Sequence, residues 1–133
     1  MPFRTLMGRA DAFTMLGHVM LTALDRERPV SFSGPAVAKL LRGDWHYGGV
    51  LITDDFSMGA VYRSRDGVAE AAIAAINAGV DLVLVSFDTD QFYTVMHGLL
   101  AADREKRLQA EALRQSDERL SRAEASARPA SSR

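Results

Sequence analysis

Two adjacent carboxylates, Asp54 and Asp55, are the residues of this sequence whose type and position could most directly do chemistry. They follow an apolar run at residues 49–52 that is typical of a buried strand. Successive side chains of a strand point to opposite faces, so one carboxylate can face a pocket while the scaffold holds the other. Barrels of alternating strands and helices place catalytic groups at the carboxyl ends of their strands. From spacing alone, a strand-to-helix loop with a helix-capping Asp is the simpler interpretation.

Composition and charge narrow the classes of protein. The 133 residues are 47% hydrophobic and 25% charged, which is typical of one globular domain with its own core. A formal net charge of −1 gives no electrostatic reason to expect nucleic acid or an anionic membrane as a partner. The sequence contains no cysteine, which excludes disulfides, thiolate zinc sites and cysteine nucleophiles. Asp88 and Asp90 predict a helix cap rather than a metal site, and we expect no metal and no cofactor.

Residues 12–24 are the one segment that could be mistaken for a signal peptide or a membrane span. The segment is shorter than the ~20 apolar residues that cross a bilayer. Asp11 stands at its start and His18 in its middle, and both are unfavourable in the apolar core of a signal peptide. We therefore interpret the segment as a buried strand with its exit loop, and we expect a cytoplasmic protein.

Glycine, proline and capping residues divide the chain into alternating helices and strands. The predicted elements, in chain order, are a helix ending near Gly8, a strand at 12–19, a helix from the cap Ser33 to Arg42, a strand at 49–52, a helix at 67–78 ended by Gly79, a strand at 80–86, a helix capped by Thr89 or Asp90 that runs to about residue 102, and a charged helix at 103–125. The segment at 80–86 contains Val, Leu, Val, Leu and Val, which indicates a strand buried on both faces. This alternation predicts an α/β fold with a parallel sheet, and it does not distinguish a barrel from an open sheet.

Several motifs together resemble one known family. Residues 49–60, Gly-Val-Leu-Ile-Thr-Asp-Asp-Phe-Ser-Met-Gly-Ala, resemble the nucleophile motif of family 3 glycoside hydrolases, especially the β-N-acetylhexosaminidase branch. The other matching segments are the preceding strand and loop at 15–19 and 23–25, the next helix at 29–33 and 40–43, and the last barrel strand at 77–86. The resemblance runs from about residue 2 to residue 100, and its motifs occur in the family's order.

The resemblance implies the C-terminal part of a (β/α)8 TIM barrel, with about three parallel strands and their flanking helices. A whole barrel needs about 250 residues, so this chain would hold less than half of one. We expect a truncated barrel domain over residues 1–125, followed by a disordered tail at 126–133. The sequence begins within what the family pattern treats as an internal helix.

The resemblance also implies roles for particular residues. In the family, the first carboxylate of the motif attacks the anomeric carbon, which makes Asp54 the predicted catalytic nucleophile. A carboxylate suits this step because the transition state is oxocarbenium-like and positively charged. His18, Asp55 and Met58 are predicted to contact the substrate. A cap or backbone acceptor is the simpler role for Asp55, and a histidine satisfied by the backbone is an equal alternative for His18.

The family's acid/base group has no counterpart in this sequence. In the hexosaminidase branch, a histidine paired with an aspartate in a Gly-Asp-Thr loop protonates the leaving oxygen, and neither that loop nor the family's Lys-His pair occurs here. None of His18, His46 and His97 matches the motif. Whether the chain alone is an enzyme is therefore open, and we expect it to be nearly inactive.

Two functions follow from these observations. The first is part of a retaining hydrolase of terminal β-linked N-acetylglucosamine, acting on peptidoglycan fragments or chitin-type oligosaccharides. The second is a non-catalytic truncated barrel that binds a sugar or another protein. In both cases the expected partners are a glycan containing N-acetylglucosamine and either a second copy of the chain or the missing barrel half, because a partial barrel exposes strand edges and apolar surface.

Overall fold

The computed structural model describes residues 2–8, 13–86 and 88–127. Five α-helices, a 3-10 turn, a π-helix and two strands make up the described part of the chain. In chain order they are α1 (Pro2–Met7), β1 (Thr14–Leu16), the 3-10 turn (Val30–Phe32), the π-helix (Pro35–Asp44), β2 (Leu51–Thr53), α2 (Gly59–Tyr62), α3 (Gly67–Ala78), α4 (Thr89–Arg104) and α5 (Ala110–Ala127).

The two strands β1 and β2 pair in parallel, as the alternation of helices and strands predicts. Their paired residues are Thr14 with Leu51, Met15 with Ile52, and Leu16 with Thr53. The predicted strand at 12–19 is thus only three residues long within the described part, and Ala12 lies outside the described residues. A single parallel bridge between Ile52 and Leu82 adds a third chain segment beside β2.

The third segment, at residues 80–86, is less regular than the predicted strand. Side chains take up two backbone N–H groups that a regular ladder would pair with carbonyls. The Leu51 N–H donates to Asp81 Oδ2 at 2.8 Å, and the Leu84 N–H donates to Thr53 Oγ1 at 3.0 Å. The segment still runs alongside β2, because the Thr53 N–H donates to a carbonyl of the segment at 2.9 Å. Three parallel segments therefore lie in the order expected of a partial barrel.

Helix boundaries agree with the sequence where a special residue sets them. Helix α3 spans the predicted residues 67–78, and Gly79 ends it in the left-handed conformation at φ 102°. The cap of α4 is Asp88, which agrees with the interpretation of Asp88 as a helix-cap residue and shows that Thr89 or Asp90 as the cap was wrong. Asp88 Oδ1 accepts hydrogen bonds from two N–H groups of the first turn of α4.

The helix predicted at 103–125 is also wrong at its start. Helix α4 continues to Arg104, the chain turns with Lys106 at φ 58°, and α5 begins at Ala110. Asn77 holds this connector from α3, since its amide donates to the Arg107 carbonyl and accepts from the Gln109 N–H, both at 2.9 Å. Helix α5 includes residues 126 and 127 of the predicted tail, and residues 128–133 lie outside the described residues.

Ser33 lies two residues before the π-helix, which begins at Pro35 after Gly34, and its side chain makes the predicted capping contact. Its hydroxyl oxygen accepts a hydrogen bond from the Ala36 N–H at 3.2 Å, which is the geometry of a helix cap. The helix runs to Asp44, two residues beyond the predicted end at Arg42.

The core lies between the strands and the inner faces of the π-helix and α3. Its largest fully buried apolar side chains are Phe32, Val37, Leu51, Phe56, Val61 and Val80. Small residues of α3, including Ala71 and Ala75, are fully buried and let this helix approach closely. The opposite side of β1 is open, because Phe13 and Met15 are 55% and 56% exposed. The sheet is therefore packed on one face, and its other face is uncovered at β1, which is also the strand at one edge of the described sheet.

A buried ion network closes the amino-terminal end of the sheet. The Asp81 side chain is fully buried; its Oδ2 lies 2.7 Å from Arg42 Nη2 and its Oδ1 lies 2.8 Å from Arg119 Nε. Burial lowers the pKa of Arg42, and the charge of Asp81 opposes that effect. The Arg42 guanidinium also donates to three carbonyls, those of Tyr47, Gly49 and Gly79. The network joins the π-helix, the third segment and α5.

Candidate active site

Asp54 lies immediately after β2, at the carboxyl end of the sheet. Its N–H donates to the carbonyl of Leu16, the last residue of β1, at 2.9 Å. Its Oδ1 accepts from the Asp55 N–H at 2.9 Å, and no other hydrogen bond reaches this carboxylate from the described residues. The side chain is half-buried. Asp54 is therefore a carboxylate at a strand end with one oxygen available to a ligand, which is the position that barrel enzymes use for catalysis.

The Asp55 carboxylate, by contrast, is occupied by protein groups. Its Oδ1 accepts from the N–H groups of Ser57 at 2.9 Å and Ser86 at 3.1 Å, and its Oδ2 accepts from the Ser86 hydroxyl at 2.5 Å. Burial is the largest single influence and raises the pKa of Asp55, but the hydrogen bonds from Ser86 and Ser57 together lower it to about 2. Asp55 ties the loop after β2 to the end of the third segment.

Both ring nitrogens of His18 are also engaged. Nε2 lies 2.9 Å from the carbonyl oxygen of Asp55, and Nδ1 lies 2.7 Å from the hydroxyl oxygen of Ser31. A carbonyl can only accept, so Nε2 carries the hydrogen, and in the neutral ring the Ser31 hydroxyl donates to Nδ1. The ring packs at a tilt of 59° against Phe56, with 5.5 Å between centroids.

Met58 is the most open of the predicted site residues. It precedes α2 in an extended conformation, and its side chain is 47% exposed. Its N–H donates to the Asp55 carbonyl at 3.0 Å, the same oxygen that receives His18 Nε2. The structure thus gathers Asp54, Asp55, His18 and Met58 around one loop, and Asp55 contacts the other three. Their roles toward a sugar stay predictions.

Two residues of this arrangement were missed at the sequence level. Ser86 gave a usable signal, because it directly follows the apolar run 82–85 just as Asp54 follows its own strand. Ser31 gave none, since its contact with His18 depends on how the loop after β1 folds. Asp25 shapes that loop; hydrogen bonds, that from the Glu27 N–H foremost, lower its pKa despite partial burial.

A prominent cleft does not coincide with these residues. It has a volume of about 670 Å³ and lies at the amino ends of the strands, beside Phe13, Val50 and Arg119. We assign the candidate site from the chemistry of the Asp54 loop, because strand ends and not cleft size determine where a barrel reacts.

The described ranges contain neither a cluster of metal ligands nor a helix suited to crossing a membrane. No cluster of three or more His, Asp or Glu side chains in residues 2–8, 13–86 and 88–127 is arranged to hold a metal ion. Over the same ranges, no helix has both the length and the apolar character that a membrane span requires.

Comparison with known proteins identifies relatives over most of the chain. It is 37% identical over 101 residues to the β-hexosaminidase of Tolumonas auensis, covering 74% of this chain and 29% of that protein. It is 38% identical over 88 residues to the β-hexosaminidase LpqI of Mycobacterium tuberculosis, covering 62% and 22% respectively. The chain therefore spans less than a third of the length of these curated relatives.

A solved structure agrees in both fold and sequence. The glycoside hydrolase family 3 β-N-acetylglucosaminidase of Paenibacillus sp. str. FPU-7 superimposes with a TM-score of 0.85 at 33% identity, over 99% of this chain and 26% of that one. This match supports a truncated α/β barrel as the fold class. The glycosyl hydrolase family 3 N terminal domain matches residues 1–123. The chain therefore belongs to glycosyl hydrolase family 3.

Proposed function

We propose that this chain provides the nucleophile segment of a retaining β-N-acetylhexosaminidase, with Asp54 as the nucleophile. The observation that carries the proposal is the position of Asp54 at the end of β2, with one carboxylate oxygen not hydrogen-bonded by the described residues. Relatives that are named β-hexosaminidases support this function over a non-catalytic sugar-binding or protein-interaction module.

The proposed reaction has two steps. An Asp54 oxygen attacks the anomeric carbon and the glycosidic oxygen leaves with a proton; water then cleaves the resulting ester and the configuration is retained. The nitrogens of His18 are held by Ser31 and Asp55, so His18 is poorly placed to supply that first proton. We propose that the acid comes from other strands of a family barrel, in the same or another polypeptide.

The proposed substrate is a glycan that ends in β-linked N-acetylglucosamine, such as a peptidoglycan fragment or a chitin-type oligosaccharide. The names of the relatives support the sugar, and the exposed Met58 beside Asp54 offers an apolar contact for it. The further proposed partner is a polypeptide with the other strands of a barrel, which would cover Phe13 and Met15 at the edge formed by β1. The cytoplasmic location stays a prediction.

A substrate with a good leaving group tests the nucleophile without the acid. A dinitrophenyl β-N-acetylglucosaminide releases its phenolate unprotonated, whereas acid catalysis is worth ~10²–10⁴-fold for an ordinary leaving group. We expect slow phenolate release from the dinitrophenyl substrate and an N-acetylglucosaminyl ester on the peptide that contains Asp54. We expect no hydrolysis above background of a glycoside whose leaving group needs protonation.

The matched variants are Asp54→Asn, which should form no ester, and Asp117→Asn, an exposed carboxylate of α5, which should react like the wild type. Mass spectrometry of the acid-quenched digest locates the ester. An ester on another residue, or none on Asp54 at millimolar substrate, would contradict the proposed role of Asp54.

A further inference from the structure

The loop that carries Asp54 is held from both neighbouring segments of the sheet. From the β1 side, His18 Nε2 donates to the Asp55 carbonyl at 2.9 Å. From the third segment, the Ser86 hydroxyl donates to the Asp55 carboxylate at 2.5 Å and the Ser86 N–H donates to it at 3.1 Å. Asp55 in turn donates its own N–H to Asp54 Oδ1 at 2.9 Å. Every one of these contacts reaches Asp54 through Asp55.

We propose that His18 and Ser86 are positioning residues that fix the Asp54 carboxylate through Asp55 and do not themselves contact the sugar. This inference rests on the proposed function of Asp54 and changes the role predicted for His18. A neutral imidazole has one donor and one acceptor nitrogen, and the Asp55 carbonyl and the Ser31 hydroxyl already use both. The Ser86 hydroxyl hydrogen is likewise committed to Asp55.

The loop would lose its orientation if either side were released. Backbone bonds to the neighbouring segments hold its two ends, through the Asp54 N–H to the Leu16 carbonyl and the Phe56 N–H to the Leu84 carbonyl. One further backbone bond, from the Met58 N–H to the Asp55 carbonyl, lies within the loop. Asp55 donates the N–H that orients the nucleophile, and its carbonyl, which belongs to the following peptide, is the group that His18 holds. A catalytic group must be held close to its productive geometry, so these side chains would matter for catalysis without touching the substrate.

Hydrogen exchange of the Asp55 amide reports this orientation directly on the intact chain. Ser86→Ala removes one hydroxyl donor, and His18→Phe keeps a ring against Phe56 while it removes both nitrogens. We expect each variant to accelerate exchange of the Asp55 amide about fivefold or more, the loss of one ordinary hydrogen bond. Ser86→Thr keeps the hydroxyl and should restore the wild-type rate. Ser121→Ala, on the exposed face of α5, is the matched control and should not change it.

Exchange of the α3 amides separates loop release from unfolding, because it should stay unchanged in every variant. If His18→Phe destabilises α3, the comparison of Ser86→Ala with Ser86→Thr decides the matter. A second measurement needs no variant: the imidazole ¹⁵N spectrum of His18 at neutral ring charge should show hydrogen on Nε2 and should not shift when N-acetylglucosamine is added.

Unchanged Asp55 exchange in Ser86→Ala, or a His18 nitrogen that shifts with the sugar, would overturn the inference. Neither measurement involves cleavage of a glycosidic bond. A negative result in these two measurements would therefore not contradict the proposed role of Asp54 as the nucleophile. A negative result in the ester experiment would not contradict the positioning contacts.

Discussion

Asp55 illustrates how a single carboxylate can organise a loop. It receives three hydrogen bonds from Ser57 and Ser86, and these hold its pKa at about 2 although burial works in the other direction. The charged form is thus favoured in the folded chain relative to an ordinary aspartate near 3.8. By linkage, this difference contributes to folding stability at every pH above the unfolded value.

We predict a defined loss of stability in acid. As the pH falls from about 4 to about 2, the unfolded chain takes up the Asp55 proton before the folded chain does, so the stabilisation is lost over that interval. Asp55→Asn should lose on the order of 1–2 kcal/mol at pH 7 and show a flatter pH dependence between 4 and 2. Urea unfolding at a series of pH values measures both quantities.

The control for this experiment is Asp117→Asn, because Asp117 is exposed on α5. Its acid profile should follow that of the wild type. If Asp55→Asn and the wild type lost stability in parallel below pH 4, the hydrogen bonds to Asp55 would not be the source of the effect.

At the scale of elements, the buried carboxylate of Asp81 joins parts that are distant in sequence. It pairs with Arg42 of the π-helix and Arg119 of α5, and it accepts the N–H of Leu51 in β2. Forming such a network costs free energy, because its charged groups lose their contact with water. Removal of one member then leaves the others buried and unpaired. The network therefore restricts how the π-helix and α5 can sit against the sheet.

We predict that Asp81→Asn lowers the free energy of unfolding by about 3–5 kcal/mol, since two buried guanidinium groups would lose their counter-charge. Urea denaturation measures the change. Glu111→Gln is the comparison, because Glu111 pairs with Arg114 on the exposed surface of α5, and its unfolding midpoint should not move. Equal effects of the two substitutions would show that burial does not distinguish the pairs.

A pair of glycines tests the termination of α3. Gly79 has φ 102°, and an added Cβ would lie 3.4 Å from Arg42 Cγ, so Gly79→Ala should destabilise the chain by about 1–2 kcal/mol. Gly48 does not have a positive φ, and an added Cβ there meets no atom within 4 Å beyond its chain neighbours, so Gly48→Ala should be neutral or slightly stabilising. Thermal unfolding of both variants checks the contrast, and a loss at Gly48 equal to that at Gly79 would contradict it.

These elements also show what a sequence can and cannot predict. The bounds of α3 were predictable because Gly79 at its end is a local signal. The irregularity of the third segment was not predictable, because the side chains of Asp81 and Thr53 accept backbone N–H groups of the neighbouring segment. Each of these hydrogen bonds joins residues that are about thirty positions apart in the sequence. The break after α4 depends on Asn77, which holds the connector from another helix.

The candidate site likewise has one part that the sequence could predict and one part that it could not. A carboxylate after an apolar run and the resemblance to a family indicated Asp54. The engagement of His18 could not be foreseen, since it depends on a backbone carbonyl 37 residues further along the chain. Spacing in a sequence reveals groups on one element, whereas side-chain contacts to the backbone of another element depend on tertiary structure.

At the scale of the whole molecule, the open edge formed by β1 determines association. Exposed apolar side chains there include Phe13 and Met15, and α1 adds Phe3 and Leu6. Burying apolar surface is worth ~25 cal/mol per Å², so this surface favours any partner that covers it. We predict that the isolated chain dimerises or aggregates at micromolar concentration unless a polypeptide with other barrel strands is present.

Light scattering of the wild type and of a Phe13→Gln/Met15→Gln double variant measures this association. The double variant should be more monomeric, because it removes apolar surface from the open edge. Lys39→Gln serves as a control at an exposed residue of the π-helix. A wild-type chain that is monomeric and unfolds sharply would show that the partial barrel closes its own core.

The order of synthesis determines when the ion network around Asp81 can form. Asp81 leaves the ribosome well before Arg119, which lies 38 positions further along. Until that arginine emerges, Asp81 Oδ2 can pair with Arg42, but Asp81 Oδ1 lacks the partner that it has in the folded chain. Since a domain generally folds as a unit, consolidation of the sheet waits until α5 has been synthesised. A nascent chain halted before residue 119 should therefore stay sensitive to protease, and release of α5 should protect it.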